Sequence, residues 1–428
     1  MEIYVVRSGD SLYRIAQQSG IPAERIALDN DIDPAAPLVP GQTLVLLTPR
    51  QVHTVAAGET LASVAAAYGV TVNQLLRNNP ALEGDPTVYP GQTLVIAYEG
   101  AKQGQLAVNG YAYPYIDRDV LRRTLPYLTY LTLFTYGFTP EGELIGIDDE
   151  EVIAIAREYG VAPLMLISTL TDEGNFSNAL AHAIFQNPAA QDTLIGNILA
   201  TLAQKGYYGL DVDFEYILPE DRDAYTAFIQ KVTQRLNAAG YQVIVALAPK
   251  TSTGQPGLLY EGHDYAGLGA AANAVLLMTY EWGYTYGPPM AVAPINKVEE
   301  VTRYAATMIP PEKIFMGIPN YGYNWTLPFV QGTSQAQSLS NVAAVELAGE
   351  VGAYIQYDET AQAPHFNYYD DQWREHEVWF EDARSIRAKL ELAARSGFRG
   401  VSYWNVMKYF PQNWLVLNSL YDIQRIAL

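Results

Sequence analysis

The chain has 428 residues, 49% hydrophobic and 17% charged, which is room for two or three globular domains. Its formal net charge of −20 repels phosphate backbones and argues against a nucleic-acid partner. No apolar run approaches the ~20 residues of a membrane helix, and the absence of cysteine rules out disulfides and thiolate metal or redox sites.

In chain order, the N-terminal part carries an internal repeat. One copy opens Tyr4-Val-Val-Arg-Ser-Gly-Asp-Ser-Leu12 and closes Val39-Pro-Gly-Gln-Thr-Leu44. The other opens His53-Thr-Val-Ala-Ala-Gly-Glu-Thr-Leu61 and closes Tyr89-Pro-Gly-Gln-Thr-Leu94. Between these ends lie two short helical patterns, Leu12, Ile15 and Ala16 then Ile26 and Leu28, repeated as Leu61, Val64 and Ala65 then Leu75 and Leu76. Asp10-Ser11 and Glu59-Thr60 are helix-start signals, and Pro-Gly is a turn signal before the last strand. Strand, helix, helix, strand with these motifs resembles the LysM module, over residues 1–48 and 51–97. LysM modules bind glycans containing N-acetylglucosamine, such as peptidoglycan and chitin. The resemblance implies a groove between the first strand–helix loop and the second helix–strand loop. In copy one these are Gly9, Asp10, Ser11 and Leu12 with Asn30, Asp31 and Ile32; in copy two, Gly58, Glu59, Thr60 and Leu61 with Asn78, Asn79 and Pro80. Two weak sites on a short connection can act together through effective concentration.

Residues 98–104 contain two glycines and read as a linker. From 105 to 428, β-rich apolar runs alternate with helical patterns. The strands are expected at 106–111, 131–138, 162–168, 209–215, 242–248, 274–280, 314–319 and 400–404, with helices such as 151–159, 222–239, 297–308 and 382–396 between them. Eight alternations predict an α/β fold, a (β/α)8 TIM barrel. The surplus over the ~250 residues of a simple barrel falls at about 326–380, an insertion between strands seven and eight in which 354–357 and 365–369 read as strands.

The segment 208–216 is Tyr-Gly-Leu-Asp-Val-Asp-Phe-Glu-Tyr. On a strand, alternation puts Asp211, Asp213 and Glu215 on one face and Leu210, Val212 and Phe214 on the other. Three close carboxyls cannot all ionise freely, so at least one keeps its proton near neutral pH. A protonated acid beside an ionised one is what glycoside cleavage requires. The segment resembles the family 18 glycoside hydrolase signature Asp-x-x-Asp-x-Asp-x-Glu, with Tyr208 in place of the first Asp. Other strand ends carry the same resemblance: Met278-Thr-Tyr280-Glu281, Gly317-Ile-Pro-Asn320-Tyr321-Gly-Tyr323-Asn-Trp325 and Ser402-Tyr403-Trp404. Glu281 and Tyr323 stand where the family has Asp and Arg. The insertion resembles the α+β wall that some members carry.

The resemblance implies a retaining, substrate-assisted N-acetylglucosaminidase. Glu215 would protonate the glycosidic oxygen and then activate water. Asp213 would orient the substrate's acetamido N–H, Asp211 would couple to Asp213, and Tyr280 would bond the acetamido carbonyl. Trp404 would stack beneath the sugar, with Met278, Glu281, Tyr111, Phe134, Asn320 and Tyr321 lining the cleft. An acidic pH optimum follows, with coupled apparent pKa values. No cofactor or metal is expected, because the five histidines have no ligand spacing. The expected partners are peptidoglycan or chitin-like polymers, with neither nucleic acid nor membrane. Tandem LysM modules ahead of such a barrel resemble the cortex-lytic and germination enzymes of spore-forming bacteria. The opening Met-Glu-Ile-Tyr-Val-Val shows no basic stretch followed by an apolar one, so no secretory signal is expected and a spore location is. A chitinase on the same scaffold, and a non-catalytic glycan-binding or structural coat protein, are the alternatives.

Overall fold

The structure, a computed structural model, describes residues 1–171 and 173–428. Eight parallel strands form a closed barrel: Gln105–Ala112, Tyr130–Phe138, Ala162–Ser168, Gly209–Asp213, Gln242–Leu247, Ala274–Leu277, Ile314–Pro319 and Gly400–Trp404. The eighth pairs back onto the first, Ser402 opposite Asn109, so no edge is left open. All eight strands expected from the sequence form, and helices surround them.

Alternation along each strand builds two cores. Leu210 and Val212 of strand four, and Phe214 just beyond it, point outward into the layer beneath the helices, where the Phe214 ring stacks on Tyr225 and Phe228 of helix Arg222–Ala238. Asp211 and Asp213 point inward. Asp211 is paired in register with Leu166 on one side and Ile244 on the other. The barrel interior beside it is filled by Ala107, Leu164, Leu166, Ile244, Ala246, Leu276, Met278 and Phe315. The interior is therefore a packed plug, in which Asn109, Thr132 and Ser402 satisfy one another by hydrogen bonds, beneath the polar C-terminal mouth.

Three strands end earlier than expected, strand five by one residue, at Leu247, and two by more. Strand four stops at Asp213, before Glu215, and strand six stops at Leu277, before Tyr280. Barrel strands splay at the mouth and lose their ladder partners. The chain then turns through left-handed conformations at Tyr216 (φ 55°) and Glu281 (φ 68°), which non-glycine residues seldom adopt. Glu215 thus sits on the turn beyond the strand, not on the strand face with Asp211 and Asp213.

Between strands seven and eight lies a five-stranded antiparallel sheet in the order Gln337–Leu339, Gly322–Thr326, Glu375–Trp379, Ala363–Tyr369, Gln356–Asp358, with helix Asn341–Glu350. It begins at Gly322, directly after strand seven, and three of its strands lack an expected counterpart. Those three are short or carry charged residues, so their apolar alternation is weak.

Each N-terminal module is a two-stranded antiparallel sheet, Glu2–Val5 with Thr43–Leu46 and Pro49–Thr54 with Thr93–Tyr98, closed by two helices. Both modules dock on the barrel. Buried Arg77 donates to Asn418 Oδ1 and to the Pro126 carbonyl, each at 3.0 Å, and Asn418 donates to Asn78 Oδ1 at 3.0 Å. In module one Thr43 Oγ1 donates to Gln412 Oε1 at 2.6 Å. Val39 joins the apolar cluster of the inserted sheet, and the Ile355 N–H donates to the Pro40 carbonyl at 3.0 Å. Gly41 (φ 89°) meets the Ile355 backbone so closely that a Cβ would collide with its carbonyl.

Candidate active site

The polar groups at the barrel mouth come from five strand ends. Asp211 and Asp213 are buried, and Glu215 is half-buried on the turn beyond them. Tyr111, from strand one, donates its hydroxyl to Asp211 Oδ2 at 2.5 Å. Asp211 Oδ1 and Asp213 Oδ1 are buried with no partner among the described residues. Two inward carboxylates with free oxygens in a desolvated site are costly unless one is protonated. Burial pushes Asp211 up to about 8, opposed by the Tyr111 hydroxyl, and pushes Asp213 up to about 7. Burial raises Glu215 well above the usual carboxylate range, and the charges on Asp213 and Glu281 raise it further. The three carboxyls thus form one coupled system that holds protons at neutral pH.

Aromatic rings enclose this system. Trp404, at the end of strand eight, is half-buried, with its ring 5.1 Å from Phe134 and 5.6 Å from Tyr111. Half-buried Tyr280 lies over strand seven, where a Cβ on Gly317 would come within 2.7 Å of the Tyr280 ring. Glu281 accepts hydrogen bonds from the hydroxyls of Tyr321 and Tyr323, the second at 3.1 Å. Tyr323, in the position of the family's Arg, is therefore a neutral donor to an acid.

Several expected cleft residues have their polar atoms engaged elsewhere. The Asn320 amide donates to the carbonyls of Asn405 and Lys408 at 2.8 and 2.9 Å, which ties strand seven to the loop after Trp404. The Tyr111 hydroxyl is committed to Asp211, and that of Tyr321 to Glu281. Phe134 and Met278 are buried in the interior cluster, Phe134 as a prop for Trp404. These five brace the site through packing and hydrogen bonds. Tyr208 packs against Tyr130, 5.9 Å between ring centroids, so the departure from the family signature fills apolar space.

Tyr113 and Tyr115 were not expected. Their rings stack at 5.2 Å, Tyr113 lies 6.3 Å from Trp404, and Tyr115 is 74% exposed, so the aromatic surface runs outward from the acids. The signal was the alternation Tyr111-Ala-Tyr113-Pro-Tyr115, which continues the strand-one pattern past its end.

In the N-terminal modules most of the expected groove is internal scaffolding. Asn30 donates to the Ile26 and Val45 carbonyls and accepts from the Val45 N–H; Asn79 does the same with Leu75 and Val95. Ser11 and Thr60 cap the helices that follow them. Asp10 accepts from Tyr4 and the Arg7 N–H, and Glu59 from His53 and the Ala56 N–H. Leu12 and Leu61 are core residues, Pro80 is buried, and Asn78 faces Asn418. These side chains fix the loops, and Ser11 and Thr60 are at the same time exposed at the surface. Gly9, Gly58 and Asp31 are exposed and Ile32 is half-buried, with Asp31 paired to Arg123 of the barrel at 2.6 Å.

Comparison with known proteins agrees with this architecture. Residues 112–408 match the family model for glycosyl hydrolases family 18, and residues 4–46 and 53–97 match the LysM domain. The chain is 39% identical to the cortical fragment-lytic enzyme of Bacillus anthracis, over 99% of both chains. It superposes on the crystal structure of the spore cortex-lytic enzyme SleL of Bacillus cereus with a TM-score of 0.84 at 39% identity, over 99% of this chain and 98% of that one. The SleL structure from Bacillus megaterium gives 0.84 at 38% identity, over 99% of each.

Proposed function

The chain is a family 18 glycoside hydrolase with two LysM modules, and from that premise we propose that it is a retaining N-acetylglucosaminidase acting on spore-cortex peptidoglycan. The observation that carries the reading is the coupled trio Asp211, Asp213 and Glu215 at the barrel mouth, between Tyr280 and Trp404. Glu215, held protonated by burial and by neighbouring negative charge, is the general acid for the glycosidic oxygen. It stands on a turn beyond the strand, where its carboxyl meets the cleft while Asp211 stays sealed below.

No second carboxylate is assigned as nucleophile. The substrate's acetamido oxygen attacks the anomeric carbon, and the C–O bond to the leaving sugar breaks as Glu215 delivers its proton. Asp213 accepts the acetamido N–H and stabilises the positive charge that develops on it. Asp211, steadied by Tyr111, shares a proton with Asp213 and adjusts its charge. Tyr280 donates to the acetamido oxygen, and Trp404 supplies the apolar floor. Glu215 then takes a proton from water, which opens the oxazolinium and retains the configuration.

The relatives reported above, similar over nearly the whole length with both modules included, are cortex-lytic enzymes, and this supports cortex glycan over chitin as the substrate and the spore as the location. The LysM modules would hold the same polymer. The test is mass spectrometry of products released from spore-cortex fragments and from purified chitin, by the wild type and by Glu215→Gln. Release of fragments with reducing-end N-acetylglucosamine from cortex by the wild type alone supports the reading. Equal release by both proteins removes Glu215 as the acid, and preference for chitin moves the substrate.

A further inference from the structure

We infer that His263 is a positioning residue for the hydrolysis, holding the peptide group that carries Glu215. The inference rests on Glu215 being the acid. His263 is fully buried, on the loop before helix Tyr265–Ala271. Its Nδ1 accepts the Ala248 N–H at 2.9 Å, and its Nε2 lies 2.9 Å from the Phe214 carbonyl. A backbone N–H only donates and a carbonyl only accepts. The ring is therefore the neutral tautomer with its proton on Nε2, donating to Phe214.

The location of these partners gives the ring its role. Phe214 is the first residue beyond strand four, and Ala248 the first beyond strand five. The imidazole bridges two strand ends where direct pairing has stopped. The carbonyl it holds belongs to the peptide bond between Phe214 and Glu215, so its orientation sets the direction in which Glu215 leaves the strand. The next residue, Tyr216, is in the left-handed region (φ 55°), a conformation that needs an external hold to persist.

The loop bearing His263 is itself fixed. The Lys250 ammonium donates to the His263 carbonyl at 2.9 Å. Gly262 lies against Ile217, where a Cβ would come within 2.5 Å of its carbonyl. The Tyr225 ring lies 5.8 Å from the imidazole. Burial, aided by the Lys250 charge, pushes the His263 pKa down to about 4, so the neutral ring persists across the working range.

The test compares three variants, each checked for a native circular dichroism spectrum, by kcat, KM and pH profile on cortex fragments. His263→Phe removes both hydrogen bonds and leaves the Phe214 carbonyl free to rotate. It should lower kcat by about 10- to 100-fold with KM little changed, as for a misplaced catalytic group. A loosened Glu215 admits water and loses part of its burial, so its pKa falls and the high-pH limb of kcat/KM moves down by about one unit. His263→Gln offers an acceptor and a donor in one plane and should restore most of kcat and the limb. His263→Asn is too short to span both partners and should behave as the Phe variant; it decides the matter if His263→Phe fails to fold. Overturning results are a folded Phe or Asn variant with the wild-type kcat and pH profile, or a Gln variant as impaired as Phe. A Glu215→Gln protein as active as the wild type would sink the parent reading instead, whatever the His263 variants do.

Discussion

Replacing Asp211 with Asn should make the protein more stable, and increasingly so as the pH rises. Asp211 is fully buried in the barrel, one of its oxygens has no partner among the described residues, and its pKa is pushed up to about 8. The unfolded value is ~3.9. An acid whose folded pKa is raised has its full stabilising contribution below the unfolded pKa, and that contribution is lost as pH rises toward the folded pKa. The slope is ~1.4 kcal/mol per pH unit for one proton, so at pH ~6 the wild type has lost about 3 kcal/mol through this group. Asn is uncharged and nearly isosteric, and its carbonyl oxygen still accepts the Tyr111 hydroxyl, so it avoids that loss. Thermal unfolding of the two proteins side by side between pH ~4 and ~8 measures the difference. The melting temperatures should nearly coincide at the acid end and separate by ~3 °C at pH ~6, with the variant higher. Its activity should fall, because in the proposed mechanism Asp213 loses the partner with which it shares a proton. A difference that is constant with pH, or one in which the variant loses stability as pH rises, would refute the claim that Asp211 is held protonated.

Trp404→Ala removes the aromatic floor and should reduce kcat/KM on cortex fragments by ~10- to 100-fold, equivalent to about 1.4–2.8 kcal/mol of stacking and apolar contact; steady-state kinetics checks this, and a change under twofold would exclude stacking there. Glu281→Gln deletes a negative charge that raises Glu215, so the Glu215 pKa should fall and the high-pH limb of kcat/KM should move to lower pH by ~0.5–1 unit; a limb that stays put or moves up contradicts the coupling. Gly41→Ala cannot be accommodated against Ile355, so module one should detach from the inserted sheet. Limited proteolysis should then cut near residues 34–42 well before the wild type is cut there, while turnover of short soluble fragments is retained.

Much of this molecule is legible in its amino-acid order, because the signals are local. Leu210, Val212 and Phe214 alternate with Asp211 and Asp213, and a two-residue period can satisfy an apolar layer and a polar mouth only as a strand. The repeated Pro-Gly-Gln-Thr-Leu ends identify two copies of one small module, and the acid motif with its strand-end companions points to the hydrolase family. Contacts between residues far apart in the chain leave no such trace. Asn30 and Asn79 stand where a ligand loop is expected, yet their amides close each module onto its own last strand. The linker at 98–104 suggests tethered modules, yet Arg77 and Asn418, distant in sequence, lock the second module to the barrel.

The barrel, the paired modules and the acidic strand motif are readable from the amino-acid order, since periodicity and motif spacing are properties of neighbouring residues. How deeply each acid is buried, and which polar side chains are held by residues of other strands, is set by the fold. Burial and hydrogen-bond partnership arise from strands brought together across the barrel, and no local pattern encodes which distant carbonyl or hydroxyl will lie within three ångströms.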